Sequence, residues 1–170
     1  MDIGSLSFSV LALIISALSF HFSIKSWRES NRPLVTARVA NKSAGNVAAS
    51  LLLVVQNTGN RPAKNITLSV NTKELESAML PTIDPVVRKY IEQIFTYRGV
   101  IPILENGRSV SNGFGFLQKG DNQVDWIRLS RFNIEISYQD LDGRTYKHSN
   151  PLLIADDRRF AGSWSESSSE

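Results

Sequence analysis

The hydrophobic pattern divides the chain into one long apolar run at its start and a longer region of short alternating runs. Residues 3–24 contain no Asp, Glu, Lys or Arg. As a helix that rises about 1.5 Å per residue, this run is about 33 Å long and matches a hydrocarbon core of roughly 30 Å. It begins Met-Asp-Ile-Gly and ends Ile-Lys-Ser-Trp-Arg, without the basic start or the Ala-x-Ala-like cleavage site of a secretory signal peptide. The pattern therefore predicts an uncleaved transmembrane anchor over residues 1–28.

Small residues recur along this run at alternating steps of four and three. We call them the small-residue stripe; its members are Ser5, Ser9, Ala12, Ser16, Ser19, Ser23 and Ser26. Apolar burial does not drive helices together in lipid, so the close approach of small residues and hydrogen bonds between hydroxyls are the usual means of association. The period of 3.5 residues predicts a left-handed crossing near 20°. The stripe thus predicts assembly with copies of this chain or with the helix of a partner membrane subunit.

Two other interpretations of the stripe stay open at this point. Each serine hydroxyl can bond the carbonyl one helical turn back and contribute nothing to association. If several helices turn the stripe toward a shared axis, the hydroxyls instead line a narrow wet pathway. The sequence does not choose between a dry helix contact and a pore lining.

The residues after the apolar run are those of a membrane interface. The expected interface anchors are Lys25, Trp27, Arg28 and Arg32, because long cationic stems and amphipathic rings are tolerated at the headgroup layer. Basic side chains follow the span and none precedes it, so the positive-inside rule predicts that the remainder of the chain faces the cytoplasm. This layout is similar to that of many small bacterial inner-membrane proteins, which implies a single-pass protein of that membrane.

A connector, residues 29–33, leads into a region of β-type runs. Seven short runs separated by Gly, Asn, Asp and Pro predict strands at 34–40, 48–56, 66–70, 100–104, 110–116, 132–138 and 145–148. The strict alternation of 132–138 and the turn-forming segment Gln-Asp-Leu-Asp-Gly-Arg at 139–144 after it predict a hairpin. The fold class expected is mainly β: an immunoglobulin-like (Ig-like) antiparallel β-sandwich over residues 34–155.

A helical insertion at about residues 72–97 interrupts the β pattern. Asp84 and Pro85 provide an N-cap residue and a proline at the first helical position. Apolar residues at 87, 90, 91, 94 and 95 then predict a helix of about three turns with one buried face.

Two stretches resemble a known family of modules. The segments Asn57-Thr58-Gly59-Asn60-Arg61-Pro62-Ala63-Lys64-Asn65-Ile66 and Ile101-Pro102-Ile103-Leu104-Glu105-Asn106-Gly107 are similar to the turn and strand motifs of bacterial CARDB modules, which are Ig-like. The helical insertion between the two stretches departs from that pattern. The resemblance implies a scaffold fold and no activity. Locally, we expect Gly59 to provide a positive φ and Asn57 to bond turn backbone.

Candidate chemistry is sparse. The chain has no cysteine and two histidines, and no Gly-x-Ser-x-Gly motif occurs, so we predict no catalytic, cofactor-binding or metal site. We expect a turn at Asp140 and Asp142 and an exposed His148, and packing or a bulge at 113–116. A net charge of +3 without an aromatic-rich basic run argues against nucleic acid. In the Ser-rich tail, 156–170, Phe160 and Trp164 are candidate docking residues.

These patterns predict a membrane-anchored, non-enzymatic scaffold. It would assemble through the small-residue stripe and bind other proteins through its β-sandwich. One alternative is a pore-forming or membrane-perturbing effector whose spans gather around an axis. Another is a periplasmic adhesion or envelope module in the reverse orientation.

Overall fold

The amino-terminal helix is continuous from the apolar run into the connector. The structure is a computed structural model that describes residues 3–44, 48–96, 99–119 and 124–155. Helix α1 is Ile3–Ser30, so it extends two residues past the predicted anchor. The N–H and the side-chain amide of Asn31 both donate to the carbonyl of Trp27, at 3.0 and 2.8 Å, and they close the last turn. Pro33 then directs the chain into an extended conformation.

The described part of the remaining chain is mainly β, as predicted. Its strands are β1 (Val35–Ala44), β2 (Ala48–Asn57), β3 (Ala63–Val70), β4 (Ile101–Leu104), β5 (Ser109–Lys119), β6 (Arg131–Gln139) and β7 (Thr145–Leu153). They form two antiparallel sheets, one in the order β1-β2-β5 and the other in the order β4-β3-β6-β7. Each of the seven predicted runs overlaps one of these strands.

One hydrophobic core joins the two sheets. Along β6, Phe132, Ile134, Ile136 and Tyr138 are buried, whereas Asn133 and Glu135 between them are exposed. This is the two-residue period of a strand with one face in solvent. Tyr138 pairs with Tyr146 across the β6–β7 hairpin, so that predicted hairpin is confirmed. Buried residues of β1, β2 and β5 belong to the same cluster.

A β-bulge in β5 turns an aromatic side chain into this core. Gly115 has a φ of +85°, and the pairing with β2 shifts register at this point. Phe114 is fully buried and stacks on Trp126 with 4.6 Å between ring centroids, and Trp126 stacks on Phe132 at 5.9 Å. The sequence segment 113–116 therefore provides both the packing and the bulge that were expected of it.

Two helices, α2 (Thr72–Ala78) and α3 (Pro85–Ile94), follow β3 and precede β4 in the sequence. The Asp84 side chain accepts from the N–H of Val86 at 2.7 Å and caps α3 as predicted. Ile91 and Ile94 are buried, but the expectation that Tyr90 faces the core is wrong, since its side chain is 65% exposed. Tyr90 lies about 100° around the helix from Ile91, outside the narrow buried face.

Candidate functional site: the exposed helix and its junction with the strands

Helix α1 carries its apolar surface outside the β-domain. Within Phe8–Ser30, an 18-residue stretch has a mean hydropathy of 1.7, and none of that stretch is buried. Among the described residues it is the one helix long and apolar enough to cross a membrane. Large side chains such as Phe8, Leu13 and Phe22 are well exposed. A helix with this many exposed apolar side chains needs an apolar environment to cover it, and within the described residues no strand does so.

The small-residue stripe runs along this exposed helix. From Ser9 to Ser26, every member lies in α1 and is exposed; the side chain of Ser5 lies outside the described residues. Steps of four and three residues place successive members about one turn apart, so together they form a continuous narrow strip. His21 and Ile14 lie on the opposite side of the same heptad pattern. The structure thus supplies the continuous helix on which the predicted interface depends.

The predicted membrane anchors cluster at the end of α1. Lys25, Trp27 and Arg28 lie in its last turns and Arg32 follows in the connector, and all four are exposed. Residues 25–30 extend the helix about 9 Å beyond the apolar run. That length is comparable to the thickness of one headgroup layer.

Asn57 fastens the connector to the strands; in the structure the connector is residues 31–34, because 29 and 30, which were expected to belong to it, lie in α1. Its side chain is 0% exposed, and its Oδ1 accepts from the N–H groups of Leu34 and Gly59, both at 3.1 Å. Its Nδ2 donates to the carbonyls of Arg61 at 2.8 Å and Leu104 at 3.1 Å. The expected bonding of Asn57 to turn backbone is confirmed, and the same amide also reaches the connector and β4. Every hydrogen-bonding position of this buried side chain is used.

Gly59 and Tyr138 also lie against the connector. The expectation of a positive φ at Gly59 is wrong, because the residue is required for close approach instead. A Cβ at Gly59 would lie 2.6 Å from the carbonyl carbon of Pro33. The Tyr138 hydroxyl donates to the carbonyl of Pro33 at 3.2 Å, and burial raises the pKa of that hydroxyl, which stays neutral at neutral pH. The connector is therefore packed and bonded rather than loose.

Charged side chains surround this junction. The Arg61 guanidinium bonds the Asp142 carboxylate at 2.8 Å. This bond, with the nearby charges of Arg144 and Arg28, lowers the pKa of Asp142, and the bond raises the pKa of Arg61. Helix α1, the β2–β3 turn and the β6–β7 turn therefore meet within electrostatic reach of one another.

The second carboxylate of the β6–β7 turn, that of Asp140, is fixed by hydrogen bonds from within the protein. Asp140 is buried, and it accepts from the N–H of Arg144 at 2.9 Å and from the Tyr146 hydroxyl at 3.0 Å. The turn predicted at these aspartates is present. His148 was expected to be exposed, but it is partly buried, and its ring contacts that of Tyr138 edge-on at 5.9 Å. Among the described residues, no group of three or more acidic or histidine side chains could hold a metal ion.

The two sheets close on one side and remain open on the other. Asn150 of β7 bonds the backbone of Ala37 in β1, donating to its carbonyl at 2.8 Å. On the opposite side, a cleft of about 340 Å³ separates the edge strands β4 and β5. Val100 and Val110 line this cleft and are exposed. This open edge is an apolar surface that sequence patterns did not identify, since it depends on which strands end each sheet.

The family of the chain is established by its match to one family model, that of a domain of unknown function, DUF8453, which spans residues 3–155. The chain belongs to the DUF8453 family. No curated protein and no solved structure matches it.

The DUF8453 match treats helix and strands as one unit. It begins at the first residue of α1 and continues through β7. This range agrees with the hydrogen-bonded junction, because neither α1 nor the strand region is an independent appendage there. The candidate docking residues Phe160 and Trp164 lie outside both the match and the described residues.

Proposed function

We propose that this DUF8453 protein is a non-enzymatic, single-pass membrane subunit of the bacterial inner membrane. It assembles through the small-residue stripe of α1 and binds other proteins through its β-domain. The observation that supports this proposal is that no residue of α1 from Phe8 to Ser30 is buried, while the connector that follows α1 is hydrogen-bonded to the strands. Such a helix transmits its position in an assembly directly to the domain.

The membrane span is supported by length and exposure together. An apolar core helix of a soluble protein would be covered by its own fold, whereas no residue from Phe8 to Ser30 is buried. In lipid, the large Leu, Ile and Phe side chains face acyl chains, and the stripe is the side that permits two backbones to approach closely. Copies of this chain, or the helix of a partner subunit, are the proposed occupants of that side.

The β-domain is proposed to be an Ig-like sandwich with one strand exchanged between sheets. In the constant-type arrangement, strand 4 joins strands 1, 2 and 5; in this protein β4 pairs with β3. The exchange leaves β4 and β5 as facing edges with the cleft between them. We place the protein-binding surface of the domain at this open edge, because its exposed apolar side chains adjoin unpaired strand edges.

We propose that the β-domain faces the cytoplasm. This orientation follows from the positions of Lys25, Arg28 and Arg32 after the apolar run. A reporter fused after Glu170 that is active in the cytoplasm supports this topology. A reporter active only in the periplasm contradicts it and favours an envelope module.

Reconstitution of the protein in vesicles distinguishes the proposed assembly role from pore formation. The full chain, labelled one fluorophore per copy, is placed in vesicles at low density, and its stoichiometry is counted by stepwise photobleaching. We expect more than one copy per spot and no ion flux above that of empty vesicles. Single copies throughout contradict self-assembly. Reproducible flux that Ser16→Leu with Ser19→Leu abolishes contradicts a dry scaffold contact and favours the effector.

A further inference from the structure

The end of the β-domain that adjoins α1 has a composition suited to a membrane surface. It consists of the connector 31–34 and the β2–β3, β4–β5 and β6–β7 turns, at residues 58–62, 105–108 and 140–144, and we call it the junction end. Asn57 joins three of these parts, bonding Leu34, Arg61 and the carbonyl of Leu104 just before the β4–β5 turn. Arg61 bonds Asp142 in the fourth.

The length of α1 beyond its apolar run determines how far the junction end lies from the hydrocarbon core of the bilayer. The apolar run ends at Ile24 and the helix at Ser30, which places the connector about 9 Å beyond the hydrocarbon edge. A headgroup layer is roughly 5 to 8 Å thick on each side. Since Asn57, Gly59 and Tyr138 hold the connector against the strands, the turns remain close to the headgroups.

The charge of this region is positive. Around the junction end and the last turns of α1, the basic side chains outnumber the acidic ones: Lys25, Arg28, Arg32, Arg61, Lys64, Arg108 and Arg144 against Glu29, Glu105, Asp140 and Asp142. Arg61 pairs with Asp142 and Arg108 pairs with Glu105, so the charges of each pair cancel. The charges that remain are still mainly positive: Lys25, Arg28, Arg32, Lys64 and Arg144 against Glu29 and the buried Asp140. The Lys64 ammonium reaches the carbonyl of Leu141 at 3.5 Å and so belongs to the same end.

An apolar side chain lies among these charges. Leu141, in the β6–β7 turn between Asp140 and Asp142, is 46% exposed. The exposed Trp27 lies in the last turns of α1. Cationic groups with a few apolar residues between them are typical of surfaces that lie on anionic lipid.

We propose that the junction end rests on the anionic phospholipid headgroups of the bilayer that α1 spans, with Leu141 at the interface and Arg28 and Arg144 among the phosphates. This rests on the proposed membrane anchoring by α1. The contact fixes the orientation of the β-domain relative to the membrane and leaves the open edge between β4 and β5 accessible.

The test measures how close two positions of the full chain lie to the lipid headgroups. Because the chain has no cysteine, Leu141→Cys and Leu129→Cys each create a unique thiol for a fluorescent label. Leu129 is the matched control: it is 68% exposed and lies just before the start of β6, whereas Leu141 follows the end of that strand. The labelled protein is reconstituted in phosphatidylcholine vesicles with or without phosphatidylglycerol, and lipids with a nitroxide on the headgroup act as quenchers.

We expect several-fold stronger quenching at position 141 than at position 129 in phosphatidylglycerol-containing vesicles. The difference should shrink in pure phosphatidylcholine, at high salt, and on combining Arg28→Ser with Arg144→Ser. The control pair, Lys73→Ser with Arg131→Ser, removes the same amount of charge at sites away from the junction end. It should leave the difference in quenching between the two positions unchanged. Equal quenching at both positions, or no dependence on anionic lipid, overturns the proposal. Flotation of the same samples separates this result from a failure of anchoring: protein that does not float with the vesicles overturns the proposed span, and the headgroup contact with it.

Discussion

Replacing Asn57 with alanine is expected to lower the free energy of unfolding by about 3 to 5 kcal/mol, a large part of a typical domain's stability. The side chain is fully buried and makes four hydrogen bonds, two as acceptor and two as donor. Alanine leaves the N–H groups of Leu34 and Gly59 and the carbonyls of Arg61 and Leu104 without these partners. Chemical unfolding of the full chain in detergent, followed by the circular dichroism of the strands, measures the change.

Asn60 provides the matched control for this experiment. Its side chain is exposed and makes a single bond, donating to the carbonyl of Ser30 at 3.0 Å. Asn60→Ala should therefore change the free energy of unfolding by about 0.5 kcal/mol or less. If Asn57→Ala is as mild as Asn60→Ala, the junction does not depend on the buried amide. Faster amide exchange at Leu34 and Thr58 in Asn57→Ala alone would locate the damage at the connector.

Replacing Ser16 with leucine is expected to weaken association in the bilayer by about tenfold or more, because polar contacts between membrane helices contribute about 1 to 2 kcal/mol each. A leucine on the stripe also holds the two backbones apart. Ala17→Leu adds the same side chain at the next residue, away from the stripe, and should leave association nearly unchanged. Energy transfer between donor- and acceptor-labelled copies, measured over a range of protein-to-lipid ratios, gives the association constant. Equal effects of the two substitutions contradict the heptad interpretation.

Sequence patterns predicted the features of this fold that depend on local spacing. The alternation of 132–138 determines which side of β6 is buried, and Asp84 with Pro85 determines where α3 begins. Both signals act within a few residues of chain. The long apolar run needed only its length and lack of charge to be predicted as a helix.

Features that depend on distant contacts were not predictable in this way. Asn57 was expected to bond its own turn, but two of its partners are 23 and 47 residues away. Gly59 was explained by backbone conformation, whereas the structure shows that it makes room for Pro33. The pairing of β4 with β3 rather than with a neighbour in the other sheet depends on how the two sheets pack, and it produces the open edge.

A photocrosslinking scan of α1 in native membranes tests whether the small-residue stripe contacts another helix. Each variant has one cysteine in the otherwise cysteine-free chain, at Ser9, Ala12, Ser16, Ser19 or Ser23 on the stripe, or at Ile14 or His21 on the opposite side. A benzophenone attached to the thiol reacts with whatever helix lies beside it, whether a second copy or a partner subunit. We expect protein adducts from the stripe positions and few from Ile14 and His21. Adducts with lipid alone from every position, or equal protein adducts all around the helix, would contradict this expectation.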